Sequence, residues 1–284
     1  MFFTTPHQTT LAQRITETNA NIQPHLQLSL GKYDSVIITL TRGDKRNALN
    51  FRMMEQLIWL AKQIRTWRDV RAVILQGDGE SFCAGLDLSE IKQAKNRKKV
   101  AWELLKPSQS LYQKVCLIWQ SLPVPVIAVI HGHCIGAGLQ LALACDFRFA
   151  TENCQFAIME SKWGLVPDMG FTQSTCHIAP DVLKELTMTA RIFDSQTALA
   201  LGFISAINEN PWQHAEQLIA EIAQRSPDAV LASKRVIQTM QRPSAYRLYQ
   251  EKLWQIKLLI GKNQAIAVKK AKDHSLQFLQ RQWK

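Results

Sequence analysis

The stretch HGHCIGAGLQLALAC, residues 131–145, constrains the fold more than any other part of the sequence. A loop containing Gly132, Gly136 and Gly138 runs directly into an apolar segment that predicts a buried helix. Glycine weakens regular structure, so core packing alone does not account for three glycines at one turn. A bare backbone at the start of a helix presents free N–H groups, which bind a phosphate or an oxyanion that develops during a reaction. Gln140, the first polar side chain of the helix, is therefore a candidate functional residue.

The segments around this turn predict an α/β body followed by a helical C-terminal region. Apolar or alternating runs predict strands near 26–30, 35–41, 71–77 and 123–132 and at DFRFAT, residues 146–151. Periodicity predicts a helix at 51–68 with Asn50 as its N-cap, helical structure across 88–120, and helices throughout the chain after about residue 180. We interpret residues 1–24 as a polar, aperiodic tail, 25–210 as the core and 211–284 as the helical C-terminal region.

Length and composition narrow the class of protein. The chain has 284 residues, which is typical of one large domain or two small ones. No apolar run is long enough to span a bilayer, and the first residues do not match a secretory signal. The six cysteines lack CxxC spacing and mostly lie in apolar contexts, as reduced thiols do. We therefore expect a cytoplasmic protein.

The formal net charge of +11 leaves three interpretations open. Basic residues cluster at Lys92, Lys95, Arg97, Lys98 and Lys99, and again at Lys262, Lys269, Lys270 and Lys272. The clusters fit a solvated surface, a site for a polyanionic small ligand, or a nucleic-acid surface. No aromatic residue interleaves the first cluster, which does not favour nucleic acid.

A second turn, in GDGESFCAGLDLSEI at residues 77–91, resembles the first. A strand is expected to end at Gly77, and small residues precede Leu86 and Asp87. Two such turns on neighbouring strands would aim one N–H each at the same carbonyl oxygen. Taken alone, each turn is better explained as a tight connection from a strand to a helix.

Several common sites are not favoured by these turns. Neither turn matches GxGxxG or the P-loop, and the sequence has no GxSxG motif. His131, His133 and Cys134 fall on adjacent loop positions without a second cluster of ligands, so we expect no metal site.

Two acidic residues lie in the apolar segment FAIMESKWGLVPDMGFTQ, residues 156–173. An apolar setting disfavours the charged form of a carboxyl group and raises its pKa toward the working pH. Glu160 and Asp168 would then act as a proton donor and acceptor pair. The alternative, equally open, is that Asp168 is a turn residue after Pro167 and that Glu160 is an exposed strand end.

Taken together and in order, five motifs resemble those of the crotonase superfamily, the enoyl-CoA hydratases and isomerases. The motifs are RGDKRNALN (42–50), FCAGLDL (82–88), HGHCIGAGLQLALACDFRFA (131–150), MESKWGLVPDMG (159–170) and ALALGFISAI (198–207). The resemblance implies a spiral of ββα turns with a helical C-terminal part that builds trimers, often paired into hexamers. It also implies an acyl-CoA substrate and a place in fatty acid metabolism such as β-oxidation. Coenzyme A would enter as part of the substrate, with no separate cofactor.

The resemblance also assigns site residues. The N–H groups of Leu86 and Ala137 would form the oxyanion hole that holds the thioester oxygen. Coenzyme A would be bound by Lys45, Arg46, Ala48, Ala84, Asp87, Leu88 and Lys262, the last from a neighbouring subunit. The acyl pocket would include Trp163, Met169 and Phe171, which are equally consistent with plain core positions.

The sequence departs from the family at Gln140. Hydratases of the family carry a glutamate there, which activates water with a second glutamate matched here by Glu160. A glutamine orients water but takes no proton. In the family's dienoyl-CoA isomerases three acidic residues recur, and Glu160 and Asp168 match two of them. The leading hypothesis is therefore an isomerase of an enoyl- or dienoyl-CoA, in which these two residues shuttle the proton and Gln140 bonds to substrate or to a water.

Two alternatives remain. One is an enoyl-CoA hydratase that uses Glu160 with weak help from Gln140. The other is a protein on the same fold that holds acyl-CoA or RNA without turnover.

Overall fold

The structure is a computed structural model that describes residues 10–91, 93–239, 245–270 and 272–277. The strands within these residues are β1 (Leu26–Leu30), β2 (Ser35–Leu40), β3 (Ala72–Gly77), β4 (Val126–Ile130), β5 (His133–Ile135), β6 (Phe147–Ala150), β7 (Gln155–Ala157), β8 (Phe193–Asp194) and β9 (Ala206–Ile207). They form a six-stranded sheet in the order β1-β2-β3-β4-β6-β9 and a three-stranded sheet in the order β5-β7-β8.

The large sheet is parallel except for its first strand, and it is buried on both faces. β1 and β2 form the predicted antiparallel hairpin, with Leu28 opposite Ile38. In β2 the side chains alternate: Ile38 lies in the larger hydrophobic core, whereas Ile37 lies in a smaller core on the opposite face. Such two-sided burial explains why these strands read as nearly continuous apolar runs.

Helices cover both faces of this sheet. They are α1 (Leu11–Ile22), α2 (Phe51–Ile64), α3 (Leu88–Ile91), α4 (Arg97–Leu105), α5 (Leu111–Gln120), α6 (Ala137–Leu143), α7 (Phe171–Ser174), α8 (Pro180–Thr189), α9 (Ser195–Ala200), α10 (Pro211–Ala223), α11 (Pro227–Gln238), α12 (Ala245–Ile260) and α13 (Lys262–Lys270). The predicted N-cap of α2 is confirmed, since the Asn50 side chain accepts a hydrogen bond from the N–H of Met53. This helix ends at Ile64, before the predicted boundary.

The prediction of an aperiodic tail before residue 25 is wrong for α1. Thr10 and Gln13 form a reciprocal capping box at the start of this helix. Leu11, Ile15 and Ile22 are buried against the main core. Three apolar residues among polar neighbours make a narrow stripe that the sequence analysis overlooked.

The prediction of helical structure across 88–120 needs a similar correction, because the segment is broken. It contains α3, a 3-10 turn at Ala94–Asn96, α4 and α5. Pro107 lies between the last two helices, where its missing N–H does not support a helix interior. Ser110 then starts α5 with a second capping box.

The predicted helical rhythm after about residue 180 holds for most of the described chain, with two exceptions. β8 pairs antiparallel with β7, and β9 adds a last parallel strand to the large sheet beside β6. Each is only two residues long, too short to give a periodic signal. Residues 240–244, 271 and 278–284, which the prediction of a helical C-terminal region includes, lie outside the described residues.

The chain passes twice from the large sheet to the small one, and these passages position the glycine turn. Only two residues separate β4 from β5, and four separate β6 from β7. β5 and β7 then pair in parallel, with Ile135 opposite Ala157. α6 follows β5 and Glu160 follows β7, so the two stretches singled out in the sequence are brought side by side.

Two compositional predictions are addressed by the structure. No helix in the described ranges is long and apolar enough to cross a membrane. All six cysteines are free thiols, and five of them are buried, with Cys176 exposed. In the first basic cluster, Lys92 and the side chain of Lys95 lie outside the described residues.

Candidate active site

Steric constraints explain two of the glycines in the stretch of residues 131–145. Gly136 precedes α6 with a φ of 55°, a conformation that disfavours residues with a Cβ. Gly138 lies against the carbonyl of Cys83, and a Cβ there would overlap that oxygen. The close approach joins this turn to the turn at residues 83–87. The N–H of Ala137, between the two glycines, has no acceptor in the described part of the chain.

The second turn presents another free N–H. Leu86 forms a parallel β-bridge with Leu49. In this bridge the N–H of Leu49 donates to the carbonyl of Gly85, and the N–H of Asp87 donates to the carbonyl of Leu49. The N–H of Leu86 is left without an acceptor among the described residues. A Cβ at Gly85 would lie 3.7 Å from the nitrogen of Ala137, which shows how closely the two turns approach.

A cavity of about 390 Å³ opens in front of these two N–H groups. It is lined by Lys45, Ala48, Ala84, Gly85, Leu86, Asp87, Leu88, Ile135, Gly136, Ala137, Met159, Glu160, Lys162, Trp163 and Leu165. Nine of these residues are assigned to the site from the sequence, and Gly85 and Gly136 belong to the two glycine turns. A concave site with a few convergent polar groups is what a small ligand requires.

Glu160 supplies the carboxyl group of this cavity. It begins a 3-10 turn, Glu160–Trp163, directly after β7. The residue as a whole is half-buried, but its carboxyl group is enclosed, and this burial raises its pKa to about 7 against the lowering effect of its hydrogen bonds. Its Oε2 is buried and has no hydrogen-bond partner in the described ranges. A Cβ at Gly136 would lie 3.5 Å from Oε1, so the carboxyl is next to the glycine turn that precedes α6.

Gln140 bonds to the protein at both ends of its amide. Its Nε2 donates to Oε1 of Glu160 over 2.7 Å, and its Oε1 accepts from the N–H of Met169 over 3.0 Å. The sequence analysis instead predicts a bond to substrate or to a water. These two contacts leave one N–H and one lone pair of the amide for such a partner. In the free protein Gln140 holds Glu160 in place and ties it to the loop that carries Asp168.

Asp168 is buried, 7 % exposed, but does not line the cavity in front of Glu160. The following residue, Met169, is the one that bonds to Gln140. Gly170 packs against Leu117 of α5, so this loop is fixed between α5 and α6. The structure thus brings Asp168 into the neighbourhood of Glu160 through Gln140. Asp168 lies in a loop after Pro167, as a turn residue would, and Glu160 is half-buried rather than an exposed strand end.

The residues predicted to bind coenzyme A divide into two groups. Lys45, Ala48, Ala84, Asp87 and Leu88 line the cavity, whereas Arg46 is exposed and does not. Arg46 adopts a left-handed conformation, and its carbonyl accepts the N–H of Ala84.

Two of these predicted ligands have further surroundings. The carboxylate of Asp87 pairs with Arg42 over 2.8 Å and accepts hydrogen bonds from Ser89. Lys262 is exposed at the start of α13, a helix that packs against Gly164 of its own chain. Asp87 therefore lines the cavity with a carboxylate that is already paired with Arg42.

The predicted acyl-pocket residues also separate. Trp163 lines the cavity. Met169 and Phe171 lie in the hydrophobic core, at 1 % and 5 % exposure, and are not at the cavity wall. Both side chains therefore occupy core positions in the free protein, which is one of the two interpretations given for them.

The remaining four lining residues, which were not predicted from the sequence, are Ile135, Met159, Lys162 and Leu165. All four lie within the quoted motifs, where the glycine turn and the acidic residue were the only signals used. Arg42 and the buried Asn47 were also not predicted from the sequence. The side chain of Asn47 forms hydrogen bonds with the backbone of Arg42, Asp78 and Ser81. In the described ranges no group of three His, Cys, Asp or Glu side chains is arranged to hold a metal ion.

Comparison with known proteins agrees with this geometry. The family model described as enoyl-CoA hydratase/isomerase matches residues 32–269. The mitochondrial Delta(3,5)-Delta(2,4)-dienoyl-CoA isomerase of Mus musculus is 34% identical over 220 residues, which are 74% of this chain and 67% of the relative. The mitochondrial methylglutaconyl-CoA hydratase of Mus musculus is 32% identical over 210 residues, 71% of this chain and 65% of the relative. A crystal structure of an enoyl-CoA hydratase from Bacillus anthracis superimposes with a TM-score of 0.71 at 28% identity, covering 88% of this chain and 97% of that one.

With a mixed α/β fold, two convergent N–H groups and a buried carboxyl, the chain belongs to the enoyl-CoA hydratase/isomerase family and has the crotonase fold. The expectations of fold and family are confirmed. Members of this family act on acyl-CoA substrates, and the relatives include both an isomerase and a hydratase.

Proposed function

We propose that the protein is an acyl-CoA isomerase that shifts a C=C bond of an enoyl- or dienoyl-CoA. The N–H groups of Leu86 and Ala137 hold the thioester oxygen. A carboxylate removes a proton from the carbon next to the thioester, and the electron pair moves onto that oxygen as an enolate. The electrons then return toward the chain, and a carbon further along it takes up a proton, so that the mass of the substrate does not change.

The single observation that carries this proposal is the pairing of Glu160 with Gln140. The Glu160 carboxyl has a pKa of about 7 and one unpartnered oxygen, so it exchanges a proton readily near neutral pH. The residue opposite it is an amide that cannot take a proton and is bonded directly to Glu160. A hydratase of this family needs two carboxylates that hold a water between them. One carboxylate beside the acyl chain, with Asp168 as the second proton carrier, serves an isomerisation without external water.

Similarity supports the same choice. The dienoyl-CoA isomerase relative is 34% identical, and two acidic residues typical of such isomerases are matched by Glu160 and Asp168. Coenzyme A would be carried by the substrate, with Lys45 and the backbone of residues 84–88 along its path and no separate cofactor. By the same resemblance we propose a trimer or a hexamer, in which Lys262 of a neighbouring subunit meets the coenzyme A phosphates.

The test uses wild type and Asp168→Asn side by side on a 2-trans-enoyl-CoA and a 3,5-dienoyl-CoA, read by ultraviolet absorbance and mass. We expect wild type to rearrange the dienoyl-CoA without a change of mass and Asp168→Asn to lose this activity. If the protein instead adds one water to the enoyl-CoA, and Asp168→Asn does so as fast as wild type, the isomerase proposal is wrong and the protein is a hydratase.

A hydratase is the second candidate, favoured by the similarity to methylglutaconyl-CoA hydratase at 32% identity. It would use Glu160 as its one acid and base. In that case Gln140→Glu restores the second carboxylate and raises the hydration rate sharply. No gain in hydration for this variant would count against the hydratase.

A further inference from the structure

A second cavity, of about 610 Å³, lies between α11, the end of α6 and the start of β6. Its volume is within the range of small-molecule sites. It shares no lining residue with the cavity in front of Glu160. α6 begins at the glycine turn of the reaction cavity, and its last residue, Leu143, borders the second cavity. The two cavities therefore lie at opposite ends of a helix about 10 Å long.

The wall of the second cavity contains a buried cation, Arg148 on β6, which is 9 % exposed. Its Nε donates to the carbonyl of Phe203 over 2.8 Å, and its Nη1 donates to the carbonyl of Cys145 over 2.7 Å. These bonds hold two loops together, but they use two of the five N–H donors of a guanidinium. Nη2 has no acceptor among the described residues and is not shielded from solvent. Its N–H groups are therefore available to a ligand in the cavity.

The cavity gives Arg148 no ion-pair partner. Asp146 is the one carboxylate among the described lining residues. Its Oδ2 already pairs with the buried Nζ of Lys234 over 2.6 Å and accepts the N–H of Val126 over 2.8 Å. Burial is the largest effect on Arg148 and lowers its pKa, as expected for a cation without a close anion. Because a buried charge is costly unless it is paired, an anion that enters this cavity would be stabilised.

The remaining walls indicate the body of such an anion. Most of them are apolar, including Pro125, Leu143, Phe147, Ile222, Val230 and Ile237. Among the polar side chains, Gln238 donates to the carbonyl of Gln120, and the hydroxyl of Ser174 accepts from the amide of Gln120. An aliphatic chain gains free energy by burial against apolar walls, and one carboxylate fits the fork of a guanidinium. An inorganic anion would gain nothing from these walls.

We propose that this cavity is a second ligand site, which binds an aliphatic carboxylate of medium chain length. The carboxylate of the ligand bonds to Arg148, and its chain lies along the apolar walls. The site is separate from the reaction cavity, and the inference does not depend on whether the enzyme is an isomerase or a hydratase.

The experiment measures binding of decanoate by isothermal titration calorimetry, with decanol and inorganic phosphate as reference compounds. Decanol has the same chain without the charge, and phosphate has charge without the chain. We expect one decanoate per chain, decanol to bind at least about 10-fold more weakly, as loss of a hydrogen bond to a charged group predicts, and phosphate not to bind. Arg148 itself is left unchanged, because replacing it would also remove its two structural hydrogen bonds.

A matched pair of variants locates the bound decanoate. Ala229 of α11 lines the cavity, whereas Ala232 of the same helix is exposed and does not. We expect Ala229→Trp, which fills the cavity, to weaken decanoate binding at least about 10-fold and Ala232→Trp to leave it unchanged. Equal binding by the two variants would overturn the inference, because decanoate would then bind elsewhere. Decanol or phosphate binding as tightly as decanoate would overturn the assignment of the ligand.

The other occupant to be tested is a second copy of the chain. If wild type binds no decanoate, the inference is wrong. If light scattering also shows a smaller assembly for Ala229→Trp than for Ala232→Trp, the cavity is instead covered by a neighbouring subunit.

Discussion

At the scale of single residues, the proposed chemistry depends on the pair Glu160 and Gln140. The amide bonds one oxygen of the carboxyl, and the other oxygen is buried without a partner in the described structure. Because burial raises the pKa of Glu160 to about 7, the carboxylate form appears only as the pH approaches neutrality. As the base of the proposed isomerisation, Glu160 must be ionised.

The first residue-scale prediction is a pH dependence of catalysis. We expect kcat/KM on a dienoyl-CoA to rise with pH and to reach half its maximum near pH 7, and Glu160→Gln to lower kcat at least about 100-fold. Steady-state rates across the pH range check both. A profile that is flat between about pH 5 and about pH 8 would contradict the role of a buried Glu160.

The second prediction concerns stability. The folded-state pKa of Glu160 is about 7, above its ordinary value of 4.5, so its favourable contribution is present at low pH and is lost as the pH rises through about 7. Glu160→Gln removes this loss. In thermal melts, the Tm of the variant minus the Tm of wild type should therefore increase from about pH 5 to about pH 8. Exposed Glu152, replaced in the same way, serves as the control for the loss of one carboxyl group.

The sequence predicted Glu160, Gln140 and Asp168 as site residues because each stands out by type in an apolar stretch. It did not predict the bond between Gln140 and the N–H of Met169. That bond joins two loops far apart in the chain, and a backbone donor carries no residue-type signal. For Met169 and Phe171 the sequence left pocket and core positions open, and both side chains lie in the hydrophobic core.

At the scale of elements, the two glycine turns form one unit. Gly138→Ala should destabilise the protein by about 1–3 kcal/mol and lower activity, because the new Cβ meets the carbonyl of Cys83 and pushes the turns apart. Gly43→Ala is the matched control, since its Cβ would make only ordinary contacts, the nearest at 3.6 Å. Thermal melts and activity assays of both variants decide the matter. Equal stability of the two variants would mean that the turns accommodate the methyl group.

The ion pair between Asp87 and Arg42 lies at the end of the second of these turns. Burial alone would raise the pKa of Asp87, but hydrogen bonds from Ser89 and Arg42 and the charge of Arg42 lower it overall. Its contribution to stability is therefore present at neutral pH and is lost as the pH falls through the folded-state pKa. Asp87→Asn should cost about 1–3 kcal/mol at neutral pH and less in acid, measured by urea unfolding. A cost that does not change with pH would show that the charge of Asp87 is unimportant.

Strong local signals predicted most of the core elements. The hairpin, α2 and the apolar strands have clear periodicity or caps, and the structure confirms them. α1 was missed because only its narrow buried stripe, with Leu11, Ile15 and Ile22, marks it as a helix. β8 and β9 were missed because two-residue strands exist only through their pairing with distant strands.

At the scale of the whole molecule, order and spacing of five motifs identified the family. The proposed coenzyme A site would account for part of the net charge of +11, and the proposed assembly rests on resemblance. The trimer or hexamer and the cytoplasmic location remain predictions. Light scattering on the purified protein tests the assembly, and a monomer at the concentrations used for activity would contradict the proposed role of Lys262 from a neighbouring subunit.

The most direct test of the central claim is the conversion of a 3,5-dienoyl-CoA by wild type and Glu160→Gln, followed at once by ultraviolet absorbance and by mass. We predict that wild type produces the isomer whose double bonds are conjugated with the thioester, with no change in mass, and that Glu160→Gln loses this conversion. Addition of one water by the wild type, or a Glu160→Gln variant as fast as wild type, would contradict it.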